Sequence, residues 1–261
     1  MIRTFFISRL NLSAGRTNVY NFAKTCEAVN ARDDFEAKLI TTDRLKDLDI
    51  FFEKVGVKKP FDVVALSATN TQSKFGGITY EIFAFIWANL RLIVYLIGNK
   101  KKFDIIYFRD ELLALTAVFT KKILRKKVFF ESHSVLENKL RQKLNLLAVH
   151  NSDGIIAIST GLKNHYEPLN KNVLLSLCSA AEVTWFDYSR DINEFRKELN
   201  LPQEKYLIGY TGVVGANPNN DYYEIDDIVR SLTVLPKNVV FVIVGEINGN
   251  ADWLRRVARD N

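Results

Sequence analysis

Short apolar runs separated by longer mixed stretches set the rhythm of this 261-residue chain. The runs are IRTFFIS (2–8), FEAKLIT (35–41), DVVALS (62–67), DIIYFR (104–109), KVFFES (127–132), DGIIAIS (153–159) and NVLLSL (172–177). They are mostly apolar and do not alternate with polar residues. A strand covered on both faces has that continuous pattern, whereas a strand with one wet face alternates. The stretches at 17–31, 76–98, 110–125 and 134–151 are long enough for crossover helices. This alternation predicts an open α/β fold around a parallel sheet.

The rhythm pauses at AAEVTWFDYSRDINEFRKELNLPQEK (180–205), which is charged, contains Pro202 and leaves room for a helix at about 191–200. It reads as a linker. A second α/β unit then begins, with YLIGYTG and NVVFVIVG as strands and YYEIDDIVRSLTVL and ADWLRRVARD as helices. The expected division is a first domain over 1–182, a linker over 183–204 and a second unit over 205–261. Two strands and two helices leave a sheet face and an edge uncovered. The second unit is therefore expected to be incomplete, with its remainder in further sequence or on another chain.

The segment IFAFIWANLRLIVYLIG (82–98) is apolar nearly all round, interrupted by Asn89 and Arg91. A helix hydrophobic on every side is usually a buried one, so a crossover helix packed on the sheet is the expectation. A monotopic membrane patch assisted by Lys100, Lys101 and Lys102 is the alternative. The segment is marginally short for a span.

Composition narrows the class. Apolar residues make up 48% of the chain and charged residues 25%. This is a globular composition, with too much apolar content and too few polar tracts for disorder. The net charge is +6, and basic residues cluster at Lys100–Lys102 and at Lys121, Lys122, Arg125, Lys126 and Lys127. Such runs attract phosphates, nucleic acid or an anionic membrane face, or they are solvated helix ends. Each precedes an apolar stretch, which favours helix ends. Cys26 and Cys178 form no CxxC pattern, so neither a disulfide scaffold nor a zinc site follows, and a reducing cytosol fits. The N-terminus MIRTFFISRLNLS is too short in its apolar part for a secretory signal. A cytoplasmic location follows, with peripheral attachment to the inner face of the membrane as the alternative.

Several catalytic devices are missing from the sequence. It has no GxxxxGK, GxGxxG, HExxH or GxSxG motif, and His133, His150 and His165 are too dispersed to argue for a zinc site. What remains is a set of loops at strand ends, where open α/β sheets bind ligands. After the first strand, SRLNLSAGRTN (8–18) carries Gly15 and Arg16 and leads into a helix capped by Thr17 or Asn18. Free N–H groups there, beside Arg16, suit a phosphate; the plain alternative is a turn glycine. The fourth strand ends in FRDE, placing Arg109 at that edge. The fifth ends in ESHS, placing Glu131 and His133 there. ISTGLK starts another helix with Ser159 and Thr160 as caps. In the second unit, GYTG places Tyr210, Thr211 and Gly212 at the first turn, and VGEINGN places Gly245 and Glu246 at the next. Taken alone, each has an ordinary structural reading.

In order, DIIYFRD, KVFFESHS, GIIAISTGLKNHY, EVTWFD, YLIGYTG and LPKNVVFVIVG resemble a family 4-type glycosyltransferase of the GT-B architecture. The resemblance runs through the first domain and the opening βαβα of the second. It implies two Rossmann-like domains facing across a cleft, with the first on the acceptor side and the second, incomplete here, binding the nucleotide sugar. It implies transfer of a sugar from a nucleotide-sugar donor to a glycan, lipid-linked or small-molecule acceptor. Stereochemistry is usually retained and no metal is used, so no cofactor and no nucleic acid are expected. His133 would be the strand-end histidine that positions a sugar hydroxyl, and Glu131 more a structural group. The Gly15 loop would approach the donor diphosphate or the acceptor, and the GYTG turn would line the phosphate side.

The chain departs from that pattern in two places. GVVGANPNNDYYE (212–224) holds no Lys or Arg, where such enzymes usually place a cation for the diphosphate. No two glutamates are eight apart, so the family's E-x7-E pair is expected beyond residue 261. The alternative is a catalytically inactive or split half that acts as a binding or partner subunit. A weaker one is another nucleotide-sugar enzyme of similar form, such as an epimerase.

Overall fold

The computed structural model describes residues 1–9, 12, 17–42, 45, 47–66, 78–136, 138–177, 189, 191–212, 214–215, 225–245 and 252–260. The chain divides into two compact units, Met1–Val183 and Thr184–Asn261.

The first unit is built on seven strands: β1 (Ile2–Ser8), β2 (Phe35–Thr41), β3 (Val63–Ala65), β4 (Ile105–Phe108), β5 (Lys127–Ser132), β6 (Gly154–Ala157) and β7 (Val173–Leu175). Every pairing is parallel, and the spatial order is β3-β2-β1-β4-β5-β6-β7. The order reverses between β1 and β4, which makes that junction the switch point of the sheet. The helices are α1 (Thr17–Asn30), α2 (Leu48–Lys54), α3 (Ile78–Gly98), α4 (Ala114–Phe119), α5 (Lys139–His150) and α6 (Thr160–Tyr166).

The pleat sends alternate residues to two cores. Phe5, Ile7, Phe108, Phe130 and Ile155 face Ala88, Leu92, Leu96, Ala117, Ala148 and Tyr166 from α3 to α6. Phe6, Leu39 and Tyr107 face Val19, Phe22, Cys26, Phe51 and Phe52 from α1 and α2. Both sheet faces are therefore apolar, which is why these strands do not alternate in sequence. Cys26 is a free thiol in the second core, and burial pushes its pKa well above the ordinary value.

Three elements differ from the sequence expectation. Helix α2, LDIFFEK, was not anticipated. Asp47 caps it by accepting from the Ile50 N–H, and Phe51 and Phe52 anchor it. The stretch 110–125 is not one helix. It comprises a 3-10 turn at Glu111–Leu113, the short α4 and a π-helical turn at Thr120–Leu124, closed by left-handed Arg125.

The third is α3, which is not wrapped by protein. Ala88, Asn89, Leu92 and Leu96 are buried, Phe85 and Ile93 are half-buried, and Ile86, Trp87, Leu90, Val94 and Ile97 are exposed. The side chain of Phe83 lies outside the described residues. Rotation of this helix is set by Asn89, whose Oδ1 accepts from the Thr116 N–H (3.0 Å) and hydroxyl (2.8 Å). Its Nδ2 donates to the Leu112 and Phe85 carbonyls. A fully partnered amide can be buried at little cost, so the polar residue turns inward and apolar ones face water.

The second unit holds α7 (Ile192–Glu198), β8 (Tyr206–Thr211), α8 (Ile225–Ser231), β9 (Val239–Val244) and α9 (Asp252–Asp260). Strands β8 and β9 pair in parallel as a separate two-stranded sheet. Val214, Ile225, Val229, Trp253 and Val257 form a small core with Tyr210, Phe241 and Ile243. Tyr206, Ile208 and Val244 are exposed.

Candidate functional site

The C-terminal ends of β1, β4 and β5 surround a cavity of about 350 Å³ lined by Ser8, Arg9, Asn18, Phe22, Arg109 and His133 among others. It lies at the β1/β4 switch point. Strand register explains its contents. Phe108 pairs with Phe130, so one step further Arg109 stands beside Glu131. Ile7 pairs with Phe108, which by the same reasoning brings Arg9 beside Asp110 two steps on.

Glu131 is the hub. Its buried Oε1 lies 2.9 Å from Arg109 Nε and 2.6 Å from His133 Nε2. The Arg109 guanidinium sits 4.7 Å above the Phe22 ring, so α1 holds it from the other side. A carboxylate only accepts, so the imidazole presents Nε2–H to Glu131. In the tautomer that carries its proton on Nε2, Nδ1 is an acceptor. The His133 side chain is 35% exposed whereas Glu131 is 7% exposed. The carboxylate is thus a fixed support and the imidazole the group that meets solvent.

Arg9 lies 3.5 Å from Asp110, which also caps the 3-10 turn by accepting from the Leu112 N–H. Its Nε and Nη1 are buried and have no hydrogen-bond partner among the described residues. Buried N–H donors are nearly always paired in folded proteins, so these two mark where an acceptor can be added. Glu111 pairs with Arg141 of α5 on the same rim. Ser132 Oγ donates to Tyr166 Oη, which donates to Asn145 Oδ1, so the β5 end is braced from α5 and α6.

The structure brings Arg109, Glu131 and His133 together as one linked group. Gly15, Arg16 and Glu246 lie outside the described residues. Sequence reasoning missed Arg9, although it directly follows the first strand; Gly15 drew attention because it precedes a helix. It also missed Asp110, Glu111, Arg141 and the Ser132–Tyr166–Asn145 chain. Glu111 and Arg141 are thirty positions apart on different helical turns, and no local pattern links them. Ser159 does cap α6, accepting from the Leu162 N–H.

In the second unit, Tyr210 is half-buried and Thr211 exposed at the end of β8. Gly212 and Gly245 are opposed just past the paired strands, and Gly212 N–H donates to Val244 O. A Cβ on Gly245, whose φ is +150°, would lie 1.9 Å from the Gly212 carbonyl oxygen. That position needs glycine for backbone approach. Among the described residues, no three His, Cys, Asp or Glu side chains converge as metal ligands.

Solved structures share this fold. HepE from Anabaena, in complex with UDP and glucose, matches with a TM-score of 0.64 at 13% identity over 99% of this chain and 65% of its own. Sucrose-phosphate synthase from Thermosynechococcus elongatus matches at 0.63 and 15% identity, covering 95% and 71%. UDP-GlcNAc 2-epimerase from Neisseria meningitidis, bound to UDP-GlcNAc, matches at 0.55 and 14% identity, covering 99% and 68%. The fold is GT-B. The chain spans about two thirds of the length of these structures. No protein-family model matches it, and no curated protein matches it in sequence.

Proposed function

We propose that this chain is the acceptor-side domain and the opening of the donor domain of a nucleotide-sugar-dependent glycosyltransferase of the family 4 type. The observation that carries the reading is the Arg109–Glu131–His133 group at the switch point of the sheet, beside an Arg9 with buried donors to spare. In this reading His133 Nδ1 accepts from a sugar hydroxyl while Glu131 holds the ring, making His133 a positioning group. Arg9 and Arg109 supply fixed positive charge for the anionic part of the ligand. Preorganised charge of this kind stabilises a leaving diphosphate without reorganisation at the moment of reaction, so the chemistry needs no metal. We assign retention of configuration and a cytoplasmic location to the same reading. The fold neighbours support it: HepE is solved with UDP and glucose.

A second reading is a nucleotide-sugar 2-epimerase, favoured by the Neisseria enzyme sharing the fold over 99% of this chain. One experiment separates the two. The protein encoded by the full reading frame is incubated with UDP- and ADP-sugars and a sugar acceptor, and products are read by mass spectrometry and NMR. Glycosyl transfer yields an acceptor heavier by one sugar residue, with release of the nucleoside diphosphate from the donor. Inverted configuration at sugar C2 without an acceptor supports the epimerase. Neither product, with donor binding intact, supports a partner subunit without chemistry.

A further inference from the structure

We propose that the outer face of α3, together with its lysine-rich end, docks on an anionic lipid surface. The face consists of Ile86, Trp87, Leu90, Val94 and Ile97, which are between 39% and 68% exposed. Their spacing follows the helical repeat, so they form one stripe about three turns long. Contiguous apolar surface of this kind marks an interaction site, whereas scattered apolar residues do not.

Charge selects the partner. Residues 85–103 carry Arg91, Lys100, Lys101 and Lys102 and no Asp or Glu. The neighbouring segment 114–127 carries five cations and again no carboxylate; Lys121 and Lys127 pair with Asp153 and Lys126 with Asp104, while Lys122 and Arg125 are exposed. The three lysines are exposed and directly follow Ile97 at the end of the stripe. The first carboxylate after them, Asp104, is engaged by Arg3. Arg91 lies 5.2 Å from the Trp87 ring, a cation over an amphipathic aromatic, the pairing suited to a headgroup boundary. The helices packed beside α3 add exposed Leu115, Lys122 and Ile123. An apolar stripe with cations along it and at its C-terminal end matches a bilayer surface with anionic headgroups.

The mode is attachment, not spanning. Among the described residues no helix is long and apolar enough to cross a membrane. Rigid support is present as well, because Asn89 fixes which face of α3 points outward. The same side chain bonds to Leu112, two residues beyond Asp110 at the cavity rim. This inference stands independently of the glycosyl-transfer reading.

The test is sedimentation with vesicles of phosphatidylglycerol and phosphatidylcholine, set against vesicles of phosphatidylcholine alone. The wild-type chain is expected to sediment with the first and not the second, with Trp87 emission shifting to the blue. Leu90→Glu combined with Val94→Glu should weaken binding at least ten-fold. Replacing Lys100, Lys101 and Lys102 by Glu should weaken it at least as much and remove its salt sensitivity. Val234→Glu, at an exposed apolar position of the second unit, should bind as wild type. Trp87→Phe should abolish the emission shift while retaining sedimentation. Melting temperatures matched to wild type establish that each variant is folded. Equal binding by the Leu90/Val94 variant overturns the proposal, as does absence of wild-type binding. A wild-type dimer that becomes a monomer in that variant overturns it in favour of a contact between copies.

Discussion

The two edges of the seven-stranded sheet carry similar charges arranged to different ends. At the N-terminal edge, two carboxylates are each shared by two cations and hydrogen-bonded by a strand N–H. Asp153, just before β6, accepts from Lys121, from Lys127 Nζ (3.2 Å) and from the Val128 N–H (2.9 Å). Asp104, just before β4, takes two hydrogen bonds from the Arg3 guanidinium and one from its backbone N–H. At the C-terminal edge, one buried carboxylate serves both Arg109 and His133, and Arg9, 3.5 Å from Asp110, keeps two buried donors without a hydrogen-bond partner among the described residues. Ion pairs that satisfy one another tie strands together. Buried donors without a hydrogen-bond partner, as on Arg9, are the opposite case, and in the proposed function they serve a ligand.

The contrast is broken or sharpened by substitution at each edge. The largest stability effect is expected from Asp153→Ala, which strips acceptors from two lysines and a strand N–H. We expect a loss of about 2 kcal/mol, read as a lower denaturant midpoint at unchanged slope. Activity per folded molecule should not change. A loss as large at the C-terminal edge, with none here, would reverse the roles of the two edges.

The pH dependence refines that prediction. Burial acts to raise the Asp153 pKa, but hydrogen bonds from Lys121, the Val128 N–H and Lys127 outweigh it and hold the group below its ordinary value. A depressed folded-state pKa contributes stability above the unfolded value, and this is lost as pH falls through the folded one. The gap between wild type and Asp153→Ala should therefore hold from neutrality to about pH 4 and close below it. A gap that widens in acid would contradict the arrangement. Asp104→Ala should show the same trend with a smaller loss, on the scale of an exposed ion pair.

Arg9→Met should have the smallest effect on stability, and its sign is informative. The substitution removes a mostly buried cation whose ion-pair partner, Asp110, is partly exposed and keeps its hydrogen bond from the Leu112 N–H, so little charge is left uncompensated. The melting temperature is expected to stay level or rise while affinity for a nucleoside diphosphate or sugar phosphate falls, as read by calorimetry. A sharp drop in melting temperature would make Arg9 a structural residue like those of the opposite edge.

Much of this was legible in the sequence for definite physical reasons. IRTFFIS, FEAKLIT and KVFFES are doubly buried strands and carry the apolar continuity that double burial requires. Arg109 directly follows β4 and Glu131 lies near the end of β5, so a parallel register brings them together. The direction faced by α3 was not legible, because a helix apolar all round gives no clue to its buried side. That choice was made by Asn89 bonding to Leu112 and Thr116, partners more than twenty residues away. Arg9 was passed over because its significance lies in donors that stay unpaired in the fold, a property with no local pattern. The Glu111–Arg141 pair depends on α5 packing beside the 3-10 turn, which again is tertiary.

The central claim is that the C-terminal edge is held for a ligand and that His133 is its positioning group. Its most direct test is His133→Ala in the full reading frame, with kcat/KM for sugar transfer and melting temperature measured on the same preparation. The account predicts a loss of about 10- to 100-fold in kcat/KM, corresponding to about 1–3 kcal/mol for one unpaired polar contact, at an unchanged melting temperature. A lowered melting temperature with kcat/KM intact would contradict it and leave His133 as a strand-end histidine that serves only Glu131.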